Sequence, residues 1–359
     1  MAGIIGVMNA RLPIMAGLSA QTATVVRDPS WLAHRYDPAQ DVVQFLPVSR
    51  MVHQKSTFIT DEYLPKGLVP VVVPRALAKA EAPSEAPLHF VFHSAFCCST
   101  LLARAFERPG WAMGLKEPVI LNDIVGWRRR GGQGADMATV LDDVLTLLAR
   151  PFEPGEAVIV KPSNIVNSLA AAILALRPNA RAILLHAPLR TYLGSIARKG
   201  MDGRLWVRVL LQGLLDDKLV DFGFSPRDYL GLTDLQVAAI GWLAQQRLFG
   251  RLVAQFGPTR VATIDSAMVT AEPAATMREL AKLFGLPLEA PALEEILSGP
   301  AFTRHSKHET SFAPEDRAQE LADGNRLHAP EIEMVAHWAE VVAETMQVPM
   351  TLPAPLLSR

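Results

Sequence analysis

The residues best suited to chemistry lie together at 93–104: His93-Ser94-Ala95-Phe96-Cys97-Cys98-Ser99-Thr100-Leu101-Leu102-Ala103-Arg104. A short apolar run, 88–92, precedes them, and a helical pattern, 100–106, follows. Strand, tight polar turn and helix is a geometry that offers backbone N–H groups to an anion, and the helix N-terminus adds about half a positive charge there. Ser99 and Thr100 stand where a phosphate-binding loop places its hydroxyl donors. The glycines and lysine of a G-x-x-x-x-G-K-[ST] loop are absent. A plainer reading fits the same residues: a buried strand, then a helix capped by Ser99.

Two other polar groups follow apolar runs, and a third lies in a late loop. Lys161-Pro162-Ser163-Asn164 closes the run 157–160, and His186-Ala187-Pro188-Leu189-Arg190 follows 181–185. A late loop adds Arg304-His305-Ser306-Lys307-His308. Cations and hydroxyls converging on one edge suit a nucleotide with several phosphate groups. His93, at a strand end, reads as a structural, hydrogen-bonded histidine. Trp206, Trp242 and Phe249 lie in apolar helical patterns and read as core or pocket wall.

The elements that must position these groups alternate. Strands are predicted at 88–92, 157–160, 181–185 and 261–264, and helices at 100–106, 137–149, 165–176, 189–198, 205–219, 234–256 and 273–284. The alternation predicts an α/β fold, a P-loop-type parallel sheet with helices on both faces and ligands at the carboxyl ends of its strands. Residues 1–85 read as an irregular N-terminal extension, punctuated by Pro29, Pro38, Pro47, Pro65, Pro70 and Pro74, with possible short strands at 42–48 and 68–73. A polar linker at 78–87 leads into a nucleotide-binding domain at 88–310. Residues 311–359 read as a C-terminal helical segment on the same domain, with an amphipathic helix at about 329–346.

Composition narrows the function. The chain has 359 residues, half of them hydrophobic and 20% charged, with a formal net charge of −1. That suits a globular protein with a large core and argues against broad nucleic-acid binding. Its two cysteines, Cys97 and Cys98, are adjacent, so they supply neither a disulfide framework nor zinc-site spacing, and no metal is expected. A reducing, cytoplasmic setting follows from them. The first 20 residues are broken by Asn9, Arg11 and Pro13 and read as neither signal peptide nor membrane anchor.

Four blocks in order resemble the sulfotransferase superfamily, and within it the tyrosylprotein-sulfotransferase-like branch. Phe96-Cys97-Cys98-Ser99-Thr100-Leu101-Leu102 is similar to the 5′-phosphosulfate loop R-S-G-[ST]-T-L-[LM]. Gly114-Leu115-Lys116-Glu117-Pro118 lies where the family has an acidic turn with the catalytic base. Val160-Lys161-Pro162-Ser163 is similar to the strand-end lysine beside a proline. Residues 177–185 with Gly194-Ser195-Ile196-Ala197-Arg198-Lys199 resemble the 3′-phosphate block, and 277–287 the late helix. Departures accompany the match. Phe96 replaces a basic residue, Cys98 a glycine and His186 an arginine, while Gly194 stands at the usual serine with Ser195 one residue later.

The resemblance implies sulfuryl transfer from 3′-phosphoadenosine-5′-phosphosulfate (PAPS) to a hydroxyl or amine of a small-molecule or peptide acceptor. Glu117 would be the base and Lys161 would stabilise the leaving phosphate. Cys98, Ser99, Thr100 and Leu101 would hold the 5′-phosphosulfate, and His186, Ser195, Arg198 and Lys307 the 3′-phosphate. Lys161, Lys116 or His93 could replace the loop's lost cation, and Arg190, Lys199 or Lys307 could assist at the 3′-phosphate. The extension and residues 204–232 would shape the acceptor pocket. Two alternatives stand beside this reading: a family member that binds without catalysing, and an ATP- and magnesium-dependent P-loop phosphotransferase. The second lacks the Walker lysine and an acidic strand end at Val160 or Leu185.

Overall fold

A computed structural model describes residues 22–303 and 314–357, with side chains in the last helix described from 328 onward. Lys307 and the rest of the late cationic loop lie outside the described residues.

The described part of the segment read as irregular, from residue 22 onward, is folded. Helix α1 (residues 22–27) is followed by β1 (Trp31–Asp37), β2 (Val42–Pro47), α2 (Arg50–Lys55), β3 (Val71–Pro74) and α3 (Arg75–Glu81). The three strands form an antiparallel sheet in the order β1-β2-β3. The prolines sit at strand ends and in turns, where no ladder N–H is needed, so they bound the strands instead of excluding them. A register shift between Ala33 and Arg35 interrupts the alternation of β1, which hides that strand from a period-two search. Buried charges fasten this sheet to the rest of the chain. The Arg150 guanidinium is fully buried, donates to the carbonyls of Val26, Trp31 and Leu147 at 2.5, 2.7 and 2.6 Å, and lies over the Phe45 ring. Arg50 pairs with the buried Glu156 at 2.6 Å.

From residue 88 the elements are β4 (Leu88–His93), α4 (Ser99–Ala105), β5 (Ala112–Lys116), α5 (Val119–Arg129), α6 (Gly134–Leu148), β6 (Ala157–Lys161), a 3₁₀ turn (Asn164–Leu169), α7 (Ala170–Leu176) and β7 (Ala182–His186). There follow α8 (Leu189–Arg198), α9 (Gly200–Asp216), α10 (Pro226–Gly231), α11 (Asp234–Phe256), β8 (Val261–Asp265), α12 (Ser266–Ala271), α13 (Pro273–Phe284), α14 (Ala290–Ser298), α15 (Pro300–Thr303) and α16 (Pro314–Thr345). The five strands form one parallel sheet in the order β5-β6-β4-β7-β8.

Alternation along each strand divides the core. Val91, Ile159, Ile183 and Ile264 face a layer built with α4, α8, α9, α11 and α13. Phe90, Phe92, Val158, Val160 and Leu184 face a second layer, made with α5, α6, α7 and the N-terminal sheet. Helices therefore cover both faces, as the α/β reading requires. Helix α16 lays Ile332, Val335, Ala336, Ala339 and Ala343 into the first layer. It begins at Pro314 and runs through Gly324 and Pro330, residues that in the sequence mark a later start.

Neighbouring strands β4 and β7 send their connections in opposite directions, toward β5 and toward β8. In such sheets the binding crevice opens at the carboxyl ends beside that reversal. Strand β5, which has no apolar run long enough to read from sequence, stands at the sheet edge under α4. A Cβ on Gly114 would lie 2.6 Å from the Ala103 carbonyl oxygen. Gly114→Ala is therefore expected to destabilise the protein by about 1–3 kcal/mol through overpacking. A denaturant midpoint equal to that of wild type would show instead that α4 moves aside freely.

Candidate active site at the carboxyl edge of the sheet

The carboxyl ends of β5, β6, β4, β7 and β8 carry Lys116, Lys161, His93, His186 and Asp265 in spatial order. The loop after β4 is held in a contracted form. Ala95, Phe96 and Cys98 take positive φ angles of 69°, 52° and 63°. Left-handed backbone costs a residue with a side chain about 1–2 kcal/mol, and successive reversals of hand are the backbone geometry from which anion-binding concavities are built. Cys98 adopts a left-handed conformation that glycine would adopt without strain. Helix α4 has seven residues, so it adds no long helix dipole to this loop.

Buried polar groups hold the loop in this shape. His93 accepts the Ala95 N–H at its Nδ1 (3.1 Å), and its Nε2 lies 3.0 Å from the Pro162 carbonyl oxygen. An acceptor at Nδ1 puts the ring proton on Nε2, so His93 is a neutral bracket between the β4 and β6 turns. Asn167 donates to the His93 carbonyl at 2.9 Å, and Gln245 to the Ser94 carbonyl at 3.4 Å. These amides, from the 3₁₀ turn and from mid-α11, had no sequence signal beyond being polar within apolar runs. Cys97 faces the core, and burial pushes its thiol up to about 12, away from reactivity.

Ser99 and Thr100 begin α4, both largely buried, and among the described residues neither hydroxyl is committed to a hydrogen bond. Leu101 belongs to the apolar core; of this residue only the backbone is available to a ligand. Beside them, Glu117 and Lys161 meet. Lys116 and Lys161 are paired across β5 and β6, and the Glu117 N–H donates to the Lys161 carbonyl at 2.7 Å. Glu117 takes a left-handed φ of 58°, and its Oε1 accepts from Lys161 Nζ in an ion pair. Lys161 is 1% exposed and lies 4.8 Å from the centroid of the Phe58 ring. Strain at a non-glycine residue that presents a carboxylate is a recurring property of functional positions.

The N-terminal segment roofs this pair. The Ile59 N–H donates to the Lys116 carbonyl (2.8 Å), Phe58 covers Lys161, and Tyr63 packs edge-on to Phe58 with ring centroids 5.0 Å apart. Burial, then the charges of Glu62 and Glu117, raise the Tyr63 phenol above its ordinary value. Neither Phe58 nor Tyr63 is distinguishable in the sequence from other aromatics of the leader.

Lys116 is turned away. Its ammonium is 0% exposed and donates to the carbonyls of His53 and Gln54 at the end of α2. Burial, aided by the charges of Arg104 and Lys161, lowers it to about 8. Phe96, at the centre of the loop, stands edge-on to Tyr192 and Trp206, with centroids 5.9 and 5.2 Å away. Trp242 and Phe249 are buried in the two core layers, and the Trp242 indole donates to the Ala187 carbonyl at 2.8 Å.

The remaining predicted residues are more dispersed. His186 ends β7 and lines a cavity of about 460 Å³ with Arg190, Trp242, Asp265, Met268 and Met350. Arg190 is ion-paired with Glu333 and Glu340 of α16 at 2.9 and 2.8 Å. Ser195 is buried on α8, and its hydroxyl donates to the Thr191 carbonyl at 2.9 Å. Arg198 is exposed in the last turn of the same helix. A second cavity, about 480 Å³, opens at the far end of α4 between Lys55, Arg104, Arg108 and Glu295. Among the described residues no three His, Cys, Asp or Glu side chains are placed to hold a metal, and no helix is long and apolar enough to cross a membrane.

No protein-family model matches the chain, and no curated protein matches it in sequence. Among solved structures the chain is similar to sulfotransferase STF9 from Mycobacterium avium, at 14% identity over 69% of this chain and 78% of that one, with a TM-score of 0.42. It is also similar to the sulfotransferase domain from the curacin biosynthetic pathway (13% identity, 76% of this chain, 100% of that one, TM-score 0.40). A third is the sulfotransferase domain of the Synechococcus PCC 7002 olefin synthase (15% identity, 66% and 85%, TM-score 0.37). These likenesses are distant, and the α/β description rests on the sheet itself.

Proposed function

We propose that this chain is a PAPS-dependent sulfotransferase acting on a hydroxyl or amine of a small molecule or peptide. The observation that carries the reading is the Glu117–Lys161 pair, held at two adjoining strand ends beside a loop folded to receive an anion. The loop N–H groups with Ser99 and Thr100 bind the sulfuryl-bearing phosphate. Lys161 neutralises charge on the bridging oxygen as the sulfur–oxygen bond to that phosphate breaks. Glu117 accepts the acceptor's proton as the new bond to sulfur forms. The work is in-line positioning and charge neutralisation. The reaction calls for no metal. Cys97 and Cys98 are not joined in a disulfide, which suits a reducing compartment such as the cytoplasm.

Isothermal titration with 3′-phosphoadenosine 5′-phosphate, beside ADP with magnesium, tests the reading. Micromolar affinity for the first ligand without magnesium is expected, about 8 kcal/mol of binding free energy, weakened about tenfold or more by Lys161→Ala. Binding of ADP only with magnesium would favour a phosphotransferase. No binding of either at millimolar ligand, by a protein shown to be folded, would end the nucleotide reading.

A further inference from the structure

We propose that Lys199 is the cation of the anion-binding loop, closing over the group held by residues 94–98. The inference rests on the proposed phosphate-bearing ligand and goes beyond it in assigning the counter-charge. The loop Ser94–Cys98 carries no charged residue, yet a sulfated or phosphorylated group needs positive charge as well as N–H donors. Four nearby basic residues are engaged elsewhere. The Lys116 ammonium is buried on the carbonyls that end α2. Arg190 is held between two glutamates of α16. His93 is neutral, with both nitrogens used in shaping the loop. Lys161 is paired with Glu117 and serves the bridging oxygen, which leaves the remaining charge of the bound group unmatched.

Lys199 differs on each count. It is exposed, it forms no ion pair among the described residues, and its Nζ lies 6.0 Å from the centroid of the Phe96 ring, the side chain at the centre of the loop. Its position follows from helix geometry. Tyr192 and Ser195 on α8 and Lys199 at its C-cap, still in right-handed helical conformation, are spaced i, i+3, i+7 and so share one face. Tyr192 on that face touches the Phe96 ring. The chain then reverses at Gly200, with φ of 57°. At Gly203 a Cβ would lie 2.6 Å from the Ile196 carbonyl oxygen and 2.8 Å from the Lys199 Cβ. The two glycines bring α9 back against the end of α8, which sets Trp206 on the other flank of Phe96. Phe96 thus serves as an apolar rest for the ammonium. A cation over a ring at an exposed site is weakly held, so Lys199 can leave the ring for an arriving anion, where it makes a charge-assisted hydrogen bond.

The test titrates the full chain, as wild type, Lys199→Met and Lys199→Arg, with 3′-phosphoadenosine 5′-phosphate and separately with inorganic pyrophosphate. Lys199→Met is expected to weaken both about tenfold and to flatten the salt dependence of binding, while Lys199→Arg restores it and melting temperatures stay together. Equal affinity of wild type and Lys199→Met for both probes overturns the inference. Lys199-dependent binding of pyrophosphate with none of the nucleotide sustains it while overturning the sulfotransferase reading. A wild type that takes neither probe at millimolar concentration overturns both.

Discussion

Glu117→Gln is expected to lower sulfuryl transfer by about 10²- to 10⁴-fold, the usual contribution of a positioned general base. The rate is read as 3′-phosphoadenosine 5′-phosphate released from PAPS with the best acceptor from a panel of alcohols, phenols and amines. The substitution also leaves the Lys161 ammonium, 1% exposed, without its counter-charge. Breaking a buried pair from one side costs about 3–5 kcal/mol of stability, whereas replacing both partners by apolar groups is often neutral. The double variant Glu117→Leu/Lys161→Met separates the two effects. It is expected to melt near wild type and to transfer nothing. Transfer at the wild-type rate by either variant would remove Glu117 from the chemistry and leave the pair as a clasp between β5 and β6.

The second large effect is on stability in acid. His53 is 0% exposed, edge-on to Phe152, and among the described residues neither ring nitrogen has a hydrogen-bond partner. Burial first, then the charges of Lys116, Arg50 and Arg150, hold it down at about 3. The unfolded chain, with an ordinary imidazole near 6.5, binds a proton in a range where the folded chain does not. Stability is therefore fully present above pH 6.5 and is lost as pH falls toward 3, by about 5 kcal/mol at most from this residue. His89, lowered to about 4 chiefly by burial, acts in the same direction. His53→Leu sacrifices no hydrogen bond of the ring, so it is expected to cost little at pH 7 and to move the acid transition to lower pH. Denaturant midpoints by circular dichroism between pH 7 and pH 3 check this. Superimposable acid limbs for the two proteins would mean that His53 reaches water in the native state.

The effects of these two residues arise in different ways, and the sequence bears on them unequally. Lys161 was legible as a candidate because it closes a short apolar run, and both it and Glu117 because each falls in a block that resembles the family's, in order. Their ion pair was not, because it depends on β5 and β6 being neighbours although α5 and α6 separate them in the chain. His53 carried no sequence signal; its behaviour comes first from burial, then from the cations that α2, β5 and the turn after α6 bring around it.

The sequence by itself determined the alternation of apolar runs and helical patterns, hence a parallel sheet with two covered faces and a polar edge at its strand ends. It also determined that the loop after β4 has hydroxyls but no charge. Those properties are local, set by side-chain periodicity and by residue type. Tertiary structure decided which cations are available. The sequence around Lys116, Lys161, Arg190 and Lys199 does not say what each ammonium or guanidinium will touch. Packing buried the first against carbonyls, paired the second with Glu117 and the third with Glu333 and Glu340, and laid the fourth over Phe96. A charge acts through what lies within a few ångströms of it, and for each of these lysines and arginines those neighbours come from distant parts of the chain.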